Sequence, residues 1–262
     1  MPLTDYHEQF AAVYDLFYAQ RDVGSEARFA ADLLGLRGGR HVLDFGCGTG
    51  AHVLAFGTLG IQATGFDRSE AMITQARAKR PAQDSAKVAF ACGSLASFCS
   101  TLDGRCFDGV VSFFNVLNCI ETPGEMVEHL TLLRSRLAPG AKMLIDVWNG
   151  AAVFVDEPRP DVKHYGNPER PERETIRITV PSLDRVNQCC TLRYRVLDLD
   201  RRTGSFTEFE SVHELRFLTP VQYRHLLELA DLTILDEFPK GRPQSPVTED
   251  EWYISYLVRR DA

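Results

Sequence analysis

The chain has 262 residues, 44% hydrophobic and 25% charged, values that fit a globular core and exclude wholesale disorder. Its 29 Lys and Arg against 36 Asp and Glu leave a formal charge of −7, which disfavours general nucleic-acid binding, since neutralising many phosphates calls for a basic excess. No run of about 18 apolar residues predicts a membrane span. Nor does Met1–Phe10 carry the apolar core of a signal peptide, and seven cysteines without a CxxC pair read as reduced, cytoplasmic thiols that predict no metal site.

Two helices are expected first. Tyr6, Phe10, Val13, Tyr14 and Phe17 recur at helical spacing, and Ser25 is placed to cap a second helix through Leu34. Five short strands then alternate with helices: His41–Phe45, Gln62–Phe66, Val88–Ala91, Phe107–Phe113 and Met143–Val147. Such alternation predicts a parallel sheet built from βαβ units. From Phe154 to Pro171 the chain is polar and proline-containing and reads as a loop or lid. From Thr175 to Phe217 the period changes to two, predicting a small inserted antiparallel sheet, with Arg202–Gly204 as a hairpin turn. A helix from Val221 and strands 233–238 and 252–258 close the chain.

The chemistry concentrates in Val42–Gly50, VLDFGCGTG, and in Asp67 after the second strand. Glycines at a strand-to-helix turn let a ligand approach the backbone, and the helix start offers free N–H groups. An acid ending the second strand is placed to accept from a ribose diol. Gly46, Gly48 and Ala51 also satisfy a dinucleotide pattern, so the glycines alone do not choose the cofactor. Asp44 does more: it suits a cationic ligand and would repel a pyrophosphate. The two closing strands agree, since a dinucleotide fold would add another βαβ unit there.

LDFGCGTG, GFDRSEAM, FDGVVSFFNVLNCI and LAPGAKMLIDVW resemble the successive motifs of class I S-adenosylmethionine (SAM)-dependent methyltransferases. The YDLFY opening and the insert resemble the bacterial amino-sugar N-methyltransferases. The resemblance implies a Rossmann-like, seven-stranded, mostly parallel sheet with an antiparallel C-terminal strand. Residues 1–150 and 219–262 would form that core, and 151–218 a lid and antiparallel sheet over the acceptor site. It further implies SAM as cofactor, with Gly46, Gly48 and Gly50 at its methionine portion, Asp44 near the amino group and Tyr14 closing over. Asp67 would hold the ribose, while Arg68 and Met72 flank the adenine, which either Ser94 or the Leu95 N–H would read. Ser94 stands where the family usually has an acid. Phe113, Phe114 and Asn115 would lie where sulfonium and acceptor meet.

The expected reaction is methyl transfer to a small polar metabolite, most readily an amine such as a nucleotide-linked amino sugar. A sugar or natural-product hydroxyl is the alternative acceptor, and SAM binding without turnover a third reading. Tyr14 and Asn115 are the catalytic candidates. Asn115, Asn118, Trp148, His164 and Tyr165 are the candidates for the acceptor, and Arg159, Lys163, Arg170 and Arg173 for any phosphate on it. His129 and His213 read as packing or surface residues. The chain would act as a monomer or homodimer.

Overall fold

The computed structural model describes residues 7–81, 87–167 and 170–261; Tyr6, counted in the first helical stripe, lies outside them. Helices α1 (Glu8–Phe17) and α2 (Val23–Leu34) come first. Asp22, and not Ser25, caps α2: its carboxylate accepts from the Ser25 amide at 2.9 Å and from the Ser25 hydroxyl at 2.7 Å. There follow β1 (His41–Phe45), α3 (Ala51–Thr58), β2 (Gln62–Asp67), α4 (Glu70–Lys79), β3 (Val88–Cys92), α5 (Leu95–Ser100), β4 (Phe107–Ser112), α6 (Pro123–Ser135) and β5 (Leu137–Trp148). A single 3-10 turn, Leu117–Cys119, lies between β4 and α6. The chain continues through α7 (Gly150–Val155), β6 (Asp161–Asn167), β7 (Arg170–Asp184), β8 (Cys189–Asp200) and β9 (Phe206–Arg216). It ends with α8 (Pro220–Leu229), β10 (Leu232–Pro239) and β11 (Tyr253–Arg260).

Seven strands form one sheet in the order β10-β11-β5-β4-β1-β2-β3. β11 runs antiparallel to both its neighbours, and the pairs β3–β2–β1–β4–β5 are parallel. The central strands are apolar on both faces because helices cover both. Leu43, Val110 and Ile145 pack against Leu95, Met126, Leu130 and Tyr223 on one side. On the other, Val42, Val111 and Leu144 pack against Ala27, Phe56 and Ile73. This is the Rossmann-like architecture expected, and it brings the β1, β2 and β4 carboxyl ends to one edge.

The second sheet is a four-stranded antiparallel meander, β6-β7-β8-β9. The polar run expected to be a loop is in part its edge strand, β6, paired with β7 from Asp161↔Thr179 to Gly166↔Glu174. Charged side chains on an exposed edge concealed the alternation. The insert leaves and re-enters the core at one point. Asn149 and Leu218 form a bridge, the Gly150 amide donates to the Leu218 carbonyl at 2.8 Å, and a Cβ on Gly150 would stand 2.7 Å from that carbonyl.

Two strands of this sheet invert the usual pattern. On β7 the buried residues are Thr175, Arg177 and Thr179, while Ile176 and Ile178 are only partly covered and Val180 is exposed. On β9 the buried set is Ser211, His213 and Leu215. Polar groups on the inward face are costly unless something bonds them, so the part of this face around Arg177 and Thr179 is suited to a site, while Cys190, Leu192 and Leu215 join a hydrophobic cluster with Trp148 and Phe217. Among the described residues no helix is long and apolar enough to cross a membrane.

Candidate functional site

The β1–α3 turn opens at the carboxyl edge of the large sheet. Gly46, Gly48 and Gly50 have φ of 77°, 53° and 81°, a region where side-chain-bearing residues are strained. They serve different ends. Gly46 is overlain by Val116, and Gly48 faces the Tyr14 ring, 3.7 Å from where its Cβ would be. Gly50 lines none of the three cavities described below; its missing side chain makes room for the Phe90 ring.

The first cavity, about 420 Å³, is lined by Tyr14, Gly46, Gly48, Asp67, Arg68, Met72, Ser94 and Leu95, eight of the residues expected at the cofactor. Asp67 is buried and accepts from the Gly48 amide at 2.8 Å and the Ser69 amide at 2.9 Å. Burial pushes its carboxyl up against backbone N–H bonds from Ser69, Gly48 and Arg68. The Ser94 hydroxyl oxygen is already engaged, accepting from the Ser97 amide at 3.2 Å as the cap of α5. His129 of α6 lines the same cavity. Its Nδ1 bonds the Glu125 carbonyl at 2.7 Å and therefore carries a hydrogen. The sequence reading placed His129 in packing or at the surface; its spacing within α6 carries no sign of the cavity.

The second cavity, about 320 Å³, holds Asp44 and Phe113, on the far side of Gly46 from the first. Burial pushes Asp44 up to about 6, against a downward pull from His52 and with a further push from Asp67. The His52 ring lies on Phe113 at 4.5 Å and bonds Glu26 at 2.8 Å, and Arg21 also pairs with Glu26. Burial raises Glu26, but the bonds from His52 and Arg21 outweigh it and hold the carboxyl down to about 2. The Arg21 guanidinium then sits 3.3 Å over the Phe114 ring.

The third cavity, about 520 Å³, lies under the inward face of the meander. Asn115 and Trp148 line it, as do Arg177, Thr179, Tyr194 and His213. His213 is therefore a cavity residue, and burial pushes its imidazole down to about 3, so it stays neutral. Of the Arg and Lys side chains lining this cavity, Arg21 pairs with Glu26, Arg159 with Asp156, Lys163 with Asp161 and Lys240 with Asp146. Arg177 has no ion pair with any described residue. Its guanidinium lies among Phe17, Tyr194 and Tyr165, at 5.0, 5.1 and 5.6 Å from the rings, and its Nε is buried without a partner, as is the Thr179 hydroxyl. Sequence reading did not single out Arg177, which stands between Ile176 and Ile178 in a strand of period two.

Other expected acceptor residues lie elsewhere. Asn118 is wholly buried and fully bonded: its amide donates to the Arg216 carbonyl and the Tyr223 hydroxyl and accepts from the Trp148 amide. It joins the two sheets and lines no cavity of the three. His164 is exposed and bonds Glu174 at 2.8 Å, and Tyr165 packs on Phe17. Arg173 is held by Asp198, and neither it nor Arg170 lines the third cavity. Tyr14 and Phe114 line all three cavities, and Cys119 the first and third. Those side chains form the wall through which the cavities meet.

Nothing bound is needed to test the fit of an ammonium- and ribose-bearing sulfonium. A close-approach glycine turn, a buried carboxylate on each side of it and an apolar slot beyond match such a molecule from end to end. Residues 42–140 match a family described as "Methyltransferase domain". The dTDP-3-amino-3,4,6-trideoxy-alpha-D-glucopyranose N,N-dimethyltransferase of Streptomyces venezuelae is 32% identical over 155 residues, 58% of this chain and 62% of that one. The chain thus spans less than two thirds of this relative. The dTDP-4-amino-2,3,4,6-tetradeoxy-D-glucose N,N-dimethyltransferase of Saccharopolyspora spinosa is 28% identical, over 91% of this chain and 90% of its own. The SAM-bound structure of CalS10, an amino pentose methyltransferase from Micromonospora echinaspora, shares the fold with a TM-score of 0.69 and 22% identity, covering 98% of both chains.

Proposed function

We propose that the chain is a SAM-dependent methyltransferase that methylates the amine of a nucleotide-linked amino sugar, a reading supported by the match of residues 42–140 to a methyltransferase domain. The observation that carries this reading is the polar roof of the third cavity, with the unpaired Arg177 in it, joined to the cofactor cavity through Tyr14, Phe114 and Cys119. An uncompensated buried guanidinium costs several kcal/mol. Ring contacts offset part of that, and an anionic group on the acceptor would offset the rest. The relatives named for dTDP-linked amino sugars support the same chemistry.

When bound, SAM supplies a methyl group already activated by its sulfonium. The work left to the chain is positioning, worth roughly 7–11 kcal/mol in well-oriented systems. Asp44 and Asp67 would hold the ammonium and ribose ends, fixing the donor from both sides of the glycine turn. Tyr14 on α1 and Phe114 after β4 would shut out water where donor and acceptor meet. α1 is held there by the roof, since Phe10 stacks on Tyr194 at 5.9 Å and lies tilted against His213 at 4.6 Å. A strong base is not required for a neutral amine. That suits a cavity whose Glu26 is locked in ion pairs and whose His213 is too weak a base to take a proton near neutrality.

Incubation with methyl-labelled SAM and a set of dTDP-linked amino sugars tests the reading. Label is expected on nitrogen, first once and then twice. Transfer to hydroxyl acceptors alone, or to no nucleotide-linked sugar, overturns it.

A further inference from the structure

We infer that Asn115 is the residue that orients the acceptor nitrogen, its side-chain carbonyl accepting one N–H of the neutral amine so that the lone pair faces the methyl donor. The inference rests on the N-methylation reading above. It starts from a contrast between two asparagines three residues apart. Asn118 satisfies every polar atom of its side chain within the fold. Asn115 is 9% exposed, and its Oδ1 is buried with no partner among the described residues. A buried carbonyl left unbonded is expensive, and Asn115 is not kept as a helix cap: it is the backbone carbonyl that receives the Asn118 amide, at 3.0 Å, and the Cys119 thiol.

The backbone is also held in an unfavourable conformation here. Phe114 and Asn115 both have φ of 60°, two consecutive non-glycine residues in the left-handed region. The turn sends Phe114 into the wall shared by all three cavities and Asn115 into the third. Strain of this kind persists where the surroundings enforce it, and it clusters at ligand sites. The side chain thus stands directly after the wall through which a methyl group must pass.

The chemistry of an amide selects the acceptor. A carbonyl oxygen takes a hydrogen bond but removes no proton, so it aligns an amine that arrives neutral and gives little help to a hydroxyl, which needs a base. The charged and titratable groups facing this cavity from the other elements are Arg21, Glu26, Arg159, Asp161, Lys163, Arg177, Lys240 and His213, together with Cys119 and the phenols of Tyr14, Tyr18, Tyr194 and Tyr253. Each acid among them is paired with a cation, Glu26 with Arg21 and Asp161 with Lys163 through one oxygen, the other Asp161 oxygen being buried without a partner. In the step itself the nitrogen lone pair forms the N–C bond as the C–S bond of the sulfonium donor breaks, and sulfur keeps that electron pair. The resulting ammonium then releases a proton to water. A primary amine and its monomethyl product both carry an N–H for Asn115, and a neutral dimethylamine has none, so transfer stops at two methyl groups.

The test compares wild type with Asn115→Gly and Asn115→Asp. Glycine tolerates the positive φ, so it removes the carbonyl and keeps the turn. Asn115→Gly is expected to keep its melting temperature and cofactor affinity and to lose kcat by about thirtyfold, with acceptor KM changing by less than about threefold, as for a bond made mainly in the transition state. Asn115→Asp retains an acceptor oxygen but adds a charge that holds the amine protonated, and its pH–rate profile should shift upward by about one unit. Asn115→Gly retaining more than half of wild-type kcat, or an unshifted profile for Asn115→Asp, overturns the assignment while leaving the amine reading intact. A wild type that methylates hydroxyls and not amines overturns both.

Discussion

Gly46 and Val116 lie so close that a Cβ on Gly46 would stand 2.3 Å from one Val116 methyl and 2.5 Å from the other. With φ of 77° at Gly46, any side chain there meets both a steric and a conformational penalty. Gly46→Ala should therefore lower stability by about 2–4 kcal/mol, combining overpacking with left-handed strain. The double variant with Val116→Ala should recover the steric part alone. Urea unfolding of the two proteins checks this, and an unchanged midpoint for Gly46→Ala would show that the loop yields freely.

If Asp44 pairs with the cofactor's ammonium as proposed, cofactor affinity should depend on pH. Its carboxyl is raised to about 6, so below that pH it must shed a proton before pairing with an ammonium. The dissociation constant should rise about tenfold between pH 7 and pH 5. Stability without ligand runs the other way. A raised folded-state value means the group contributes most below its unfolded range near 3.8 and loses that contribution as pH climbs through about 6, a change of about 3 kcal/mol. Calorimetric titration across this range, with Asp44→Asn as the control, would expose a flat profile if the assignment were wrong.

Arg177 should matter for the acceptor and not for the fold. Replacing a buried, unpaired charge by an apolar residue of similar length is often neutral or stabilising. Arg177→Met is expected to melt at the wild-type temperature or above it. Its KM for a diphosphate-linked amino sugar should rise at least about tenfold, the scale of one charge-assisted hydrogen bond. Equal KM values for the two proteins would remove Arg177 from acceptor recognition.

Asp67 accepts from the Gly48 amide and, in the proposed reading, would also hold the ribose. Asp67→Ala should weaken cofactor binding by at least about tenfold. Asp67→Asn, which keeps one acceptor oxygen, should weaken it less. Fluorescence or calorimetric binding distinguishes them, and wild-type affinity in the alanine variant would refute the ribose role.

The parallel core and its glycine turn were legible because their signals are local. Asp44, Gly46, Gly48 and Asp67 fall within one strand–turn–helix–strand unit, and each residue type answers a need of that unit. The roof was not legible in the same way. Hydrophobic-in alternation would send Ile176 and Ile178 inward, whereas Thr175, Arg177 and Thr179 are the buried residues of β7. A cavity rewards the opposite polarity from a core, and the period is the same for both. Asn115 and Asn118 were likewise indistinguishable as letters. Only the long-range partners of Asn118, about a hundred residues away at Arg216 and Tyr223, separate a structural amide from an available one. Ser94 was noticed as a departure, but its employment as a cap of α5 depends on a helix too short to announce itself.

The pinch between Asn149 and Leu218 makes the meander a closed excursion: the chain departs and returns within one hydrogen bond. A segment tethered in this way is exchangeable. Lengthening, shortening or replacing it leaves the end-to-end distance that the core must bridge unchanged, so the entropic cost to the core grows only slowly with the segment's length. On the proposed function, donor chemistry and acceptor choice would thereby be separated along the chain, and one cofactor fold could be fitted with successive roofs without being rebuilt.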